Sequence, residues 1–135
     1  MLRSGTVDAA LTWAHNAAVM AKKTSPRLPP AFLWFRKRFP AVAEANERLG
    51  EAVRTAGPLS EREVALVKLG IAIGARMEGA THAHVRKAVD AGIEPEALEQ
   101  VAVLACPTVG FPQTMMALGW VRDLLKAPGR RVTRP

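Results

Sequence analysis

The chain holds one cysteine, no tyrosine, few aromatic residues overall, and no apolar run long enough to cross a bilayer. Each scarcity excludes something. A lone Cys106 cannot close an intrachain disulfide or form a Cys-x-x-Cys pair, so neither a disulfide framework nor dithiol chemistry is available. Three histidines and one thiol leave little for a metal centre to recruit, and no metal or other cofactor is implied. The longest apolar stretches are broken by Lys68, Arg76 and Glu99 before they reach the roughly 18 to 20 residues that a spanning helix needs. No secretory signal pattern opens the chain, and a soluble, cytoplasmic protein is the expectation. The missing tyrosine and scarce threonine, beside many alanines, favour helix over strand. At 135 residues the expectation is a single all-α domain of about six to seven helices.

The formal charge of +7 raises the question of nucleic acid, which the position of the charge answers better than its size. Residues 1–58 carry nine Lys/Arg against four Asp/Glu, and residues 128–135 add three Arg, whereas residues 59–127 carry seven against eight. The excess belongs to the ends. This divides the chain into an N-terminal helical extension (1–58) packed on the core, a core (59–127) and a basic tail (128–135) whose Gly, Pro and Arg composition cannot bury enough to order itself. The cluster Phe32, Trp34, Phe35, Arg36, Lys37, Arg38, Phe39 mixes aromatic and basic groups as single-strand binders do. A helix this short, held between Pro30 and Pro40, offers no groove or platform. A cover over a pocket or subunit fits it better than nucleic acid does.

Periodicity and punctuation place the helices. An amphipathic helix is expected over Thr6 to Lys23, with Leu11, Ala14 and Ala18 on one face, and Thr24 to Pro30 breaks it. Ala31 to Phe39 forms the short aromatic helix. Pro40 starts the next, whose stripe of Val42, Leu49 and Val53 runs until Gly57 and Pro58. Ser60-x-x-Glu63 is a capping box opening a helix that is apolar almost all round, the mark of a central element. Glu78 to Ala91 is closed by Gly92, and Pro95 and Glu96 restart the chain. After Pro107, Gly110 and Pro112, a last amphipathic helix covers Gln113 to Lys126 with Met115, Leu118, Val121, Leu124 and Leu125 on its apolar face.

A helical histidine, a Gly-closed helix end, a Pro-Glu restart and a Gly-Phe-Pro turn follow in order through "HVRKAVDAGIEPEALEQVAVLACPTVGFP". This set resembles the carboxymuconolactone decarboxylase and alkyl-hydroperoxidase-D-like family over roughly Leu59 to Leu125. The resemblance implies an all-α fold assembled as trimers or hexamers, with a pocket beside the central helix pair and no membrane partner. It also implies where chemistry is missing. The peroxidase branch carries Cys-x-x-Cys-x-x-x-His, which puts its cysteines at Met77 and Ala80 here, so thiol peroxidase chemistry has no sulfur. The decarboxylase branch places a Glu four residues before the histidine, again at Ala80. The family's upstream glutamate falls at Ala65 by ungapped count, or at Glu63 if the loop around Gly74 to Arg76 is two residues longer.

The candidate site is therefore His84, an imidazole that titrates near neutral pH and can move a proton on a small carboxylate or lactone, assisted by Glu63. Arg76 or Arg86 would attract the ligand's charge, and Met77 and Ala80 would line the pocket. The bland alternatives stand beside these readings: His84 as a packed structural histidine, Glu63 as only the cap partner of Ser60, Cys106 as a buried inert thiol, and Met77, Met115 and Met116 as core. His82 and Glu78 sit four apart on one helix face and form either a surface ion pair or an orienting contact. His82 and His84 point about 200° apart, which disfavours a shared metal. Two functions remain: a His-based acid/base enzyme, or a non-catalytic oligomeric scaffold or small-molecule binder of the same fold.

Overall fold

The computed structural model describes residues 28–125, and the expected helix at Thr6 to Lys23 and the basic tail lie outside the described residues. Within them run α1 (Pro30–Arg38), α2 (Pro40–Arg54), α3 (Glu61–Gly74), α4 (Glu78–Asp90), α5 (Pro95–Leu104), the single-turn α6 (Cys106–Val109) and α7 (Phe111–Leu125). No strand occurs among the described residues. The architecture is all-α, as the composition requires.

Local chemistry sets most boundaries. Ser60 Oγ accepts from the Glu63 backbone N–H at 3.1 Å while Glu63 Oε2 accepts from the Ser60 N–H at 2.7 Å, so the capping box is complete. Proline occupies the first turn of α1, α2 and α5, where its missing N–H costs nothing. α7 begins two residues before the expected Gln113. Pro112 falls in its first turn, where proline fits the helix instead of breaking it.

Two helices end in the same way. At the close of α4, Gly92 (φ 80°) donates to Val89 O and Ile93 donates to Ala88 O, the paired bonds of a Schellman motif. α3 closes with the same bonds, Arg76 to Ile73 O and Met77 to Ala72 O, but the left-handed residue is Arg76 (φ 58°). An L-residue with a side chain pays steric strain in that conformation, typically ~1–2 kcal/mol. The reversal brings α4 back along α3.

α3, α4, α7 and α5 form a ring in which each packs on the next. Leu69 and Ile73 of α3, Val85 and Ala88 of α4, Leu98 and Ala102 of α5, and Ala117 and Val121 of α7 meet inside it, joined by Ile93. Burying a side chain such as Leu98 removes it fully from water and is worth roughly 1.5–3 kcal/mol. α1 and α2 pack on each other, with an Arg36–Glu47 ion pair at 3.5 Å between them. Their sequence pattern misleads on one point. The expected stripe of Val42, Leu49 and Val53 is exposed, and only Ala43 of α2 is buried. Likewise Met115 is half-exposed on α7, whose inward face is instead Gln113, Thr114, Ala117 and Val121. On α3, which is apolar nearly all round, Val67 and Ile71 remain exposed while Leu69, Ala72 and Ile73 are buried.

Candidate functional site

The α3–α4 corner places Arg76 and Met77 at the head of α4. Arg76 borders a small cleft of about 250 Å³ shared with Val109, Pro112, Gln113 and Met116. Gln113 is buried and donates its Nε2–H to Ile73 O at 3.1 Å, which ties the start of α7 to the end of α3 under this cleft. Met77 is exposed and caps α4 through its backbone only. Ala80 is half-buried within the first turn.

His84 lies further along α4, about 9 Å of helical rise beyond its first residue, Glu78. It borders neither the Arg76 cleft nor the larger groove described below. Its imidazole is half-buried, and burial, followed by the nearby ammonium groups of Lys68 and Lys87, pushes its pKa below the ordinary histidine value. The ring is therefore neutral at pH 7 and offers a lone pair. Lys87 sits one turn after His84 on α4, and Lys68 comes from α3 next to the buried Leu69. Burial, Lys68, Arg54 and Arg86, in that order, depress the Lys87 ammonium in turn.

Glu63 stands apart from this group. It is exposed at the start of α3, its carboxylate is committed to the Ser60 N–H, and these Ser60 hydrogen bonds hold its pKa below the ordinary value. Among the described residues no hydrogen bond or ion pair joins it to His84. Arg86 is half-buried and follows Val85 on α4, near enough to Lys87 to repel it.

The other α4 histidine finds a partner that differs from the expected Glu78. His82 Nε2 faces Asp123 Oδ2 of α7 at 3.4 Å, too poorly aligned for a hydrogen bond, because α7 packs across α4 and presents Asp123 to that face. Thr81 Oγ1 beside it is buried without a hydrogen-bond partner. Cys106, read from the sequence as buried, is half-buried at the start of α6.

Across α3 from His84, a groove of about 670 Å³ runs between α3 and the α5–α6 segment. Leu66, Val67, Ala97, Val101 and Leu104 give it an apolar floor and walls. At one end Arg62 grips Glu94 with both guanidinium N–H groups, Nη1 to Oε2 at 2.7 Å and Nη2 to Oε1. That bidentate bond pulls the Glu94 carboxyl down to about 2.

Chemically, then, the described residues offer a neutral imidazole among cations, with no carboxylate aligned to relay its proton, and a separate apolar groove. Lys68, Lys87, Gln113 and Asp123 were not singled out from sequence. Lys87 was within reach, since it lies three residues after His84, whereas the other three arrive through helix packing, which no local pattern reveals.

Comparison with known proteins agrees with the helical order described above. The model of the Carboxymuconolactone decarboxylase family matches residues 40–123. No curated protein and no solved structure matches the chain.

Proposed function

Because that match covers more than half of its length, the chain belongs to the carboxymuconolactone decarboxylase family, and we propose that it is a member without thiol peroxidase chemistry that uses His84 to move a proton on a small carboxylate- or lactone-bearing substrate. The observation that carries this reading is the state of His84: half-buried on α4, with burial first and then the positive charge of Lys68 and Lys87 pushing its pKa below the ordinary histidine value. A neutral imidazole removes a proton, and neighbouring positive charge favours the carbanion or enolate that results. Arg76, at the mouth of the cleft lined by Met116, is the best placed of the remaining candidates to meet a ligand near the head of α4, with Met77 and Ala80 beside it and Arg86 on the same helix. Glu63 serves the helix cap in this reading, and its assistance requires the cap to open.

The experiment is solvent-deuterium exchange at the acidic C–H of a panel of keto acids and lactones, followed by NMR. His84→Gln is expected to slow exchange by roughly 10²–10⁴-fold. Equal rates in both proteins overturn the assignment.

A second reading, a non-catalytic oligomeric binding protein, is favoured by one specific feature: among the described residues Ala80 and the cap-bound Glu63 leave His84 without a carboxylate partner, while a 670 Å³ apolar groove lies elsewhere on α3. In both readings the protein is cytoplasmic; among the described residues no helix is long and apolar enough to cross a membrane. In both it assembles with its own copies, as a trimer or hexamer. Exposed Val67, Ile71 and Leu104 support that assembly, and light scattering on the purified chain measures it directly.

A further inference from the structure

Two apolar surfaces of the fold lie open, and their shapes answer each other. On α2, Val42, Ala45, Leu49 and Val53 follow the i, i+3, i+7, i+11 spacing of a single helix face, and all four are exposed, Leu49 by 61%. Among the described residues α1 and α2 pack chiefly on each other, and the exposure of the stripe shows that no ring helix covers it. A face so spaced suits a helix that lies in a groove. The 670 Å³ groove between α3 and the α5–α6 segment is shaped to take one. Beside its larger apolar residues it is lined by Gly70, Gly74, Ala97 and Ala105, and a β-carbon at Gly74 would meet nothing within 4 Å, so a second backbone can come close there. The lengths agree as well. Val42 to Val53 spans about 16 Å of helix, and Arg62 to Gly74, the extent of the groove along α3, about 18 Å.

Charge is complementary too. Residues 94–105, along one side of the groove, hold Glu94, Glu96 and Glu99 and no Lys or Arg. Residues 28–58, which contain α1 and α2, hold five Lys/Arg against three Asp/Glu, and those three, Glu44, Glu47 and Glu51, are paired with Arg48, Arg36 and Arg54. The hairpin therefore brings Lys37 and Arg38 in excess to an acidic rim, with each of its own carboxylates already neutralised. We propose that the α2 stripe of one copy of this chain lies in the α3–α5 groove of a second copy. Within one chain α2 is turned from the groove: its last residue, Arg54, is close enough to Lys87 to repel it, on the side of α3 where α4 packs and not α5. Stripe and groove are different surfaces, so the contact is made twice across a two-fold axis or runs head to tail around a closed ring. This deepens the assembly proposed above and rests on it, since a chain that stays monomeric has no second groove to fill.

The test uses the full chain. Light scattering compares the native protein with Leu49→Glu in the stripe and Leu104→Glu in the groove; both residues are exposed within one chain, so circular dichroism should be unchanged. Each substitution is expected to raise the dissociation constant of the assembly by about tenfold or more. Placement is read by a short bismaleimide in a Cys106→Ala background. Chains carrying Leu49→Cys mixed with chains carrying Leu104→Cys should be joined at those two positions, as mass spectrometry of the linked peptides identifies. A native chain that is monomeric at every concentration overturns the assembly and this contact together. An assembly whose dissociation constant is unchanged by Leu49→Glu, or that yields to Leu104→Glu alone, overturns the contact and leaves the assembly standing, with the groove held by a different segment. In a chain carrying both cysteine substitutions, a link formed within the single chain places α2 in its own groove and likewise overturns the contact.

Discussion

Two faces of α3 handle positive charge in opposite ways. On the groove side, Arg62 is met by Glu94 in a bidentate bond that ties the start of α3 to the start of α5. On the α4 side, the positive charge of Lys68 depresses the pKa of both His84 and Lys87, and among the described residues Lys68 forms no ion pair. The same helix thus carries one cation whose role ends within the fold and another whose role the fold leaves open. Charge that is paired internally reads as architecture.

The strongest way to break this contrast is to remove what both faces rest on. Leu69 is fully buried, and Leu69→Ala should lower unfolding free energy by about 2–5 kcal/mol in urea titration. Next in size, Ser60→Ala removes the hydroxyl that starts α3 and should cost about 1 kcal/mol by the same measurement. A smaller effect of opposite sign sharpens the comparison. Lys68→Gln with Lys87→Gln should leave stability unchanged or raise it by about 0.5 kcal/mol or less at low salt, because repulsion between the two is relieved. Glu94→Gln should lower stability by less than Ser60→Ala does, since its pair with Arg62 is largely exposed and screened by salt.

Acidity separates the two faces a second time. His84 binds its proton less readily folded than unfolded, so its contribution to stability is intact above the ordinary histidine range and declines as pH falls through about 6.5 toward its lowered folded value. Glu94, with a folded pKa of about 2, contributes fully above the ordinary carboxylate range, and that contribution is lost as pH falls toward 2. A stability-versus-pH curve should therefore show two separate declines, and His84→Gln should remove only the one nearer neutrality.

Where local chemistry decides, the chain was legible before folding was considered. The Ser60–Glu63 box, the Gly92 closure and the proline starts of α2 and α5 appear in the structure at the expected residues. The all-α class and the family resemblance stand as well. Burial was less legible. Val42, Leu49 and Val53 have the spacing of a buried stripe, yet spacing says only which residues share a face and not whether a neighbour covers it. The candidate site splits along the same line. His84 was visible because a helical histidine is conspicuous, but Lys68 sits sixteen positions away and joins it only through the α3–α4 turn. Asp123, the partner of His82, is more distant still and arrives with α7.

The turn between α3 and α4 carries a consequence for how the sequence can vary. Gly92 and Arg76 hold equivalent left-handed positions, and only one of them is glycine. At position 76, tolerance in a saturation library should be narrow and oddly shaped: glycine and asparagine enriched, β-branched residues and proline depleted, and arginine surviving despite its strain. Selection for stability alone should drift this position toward glycine, whereas selection for activity should bring arginine back.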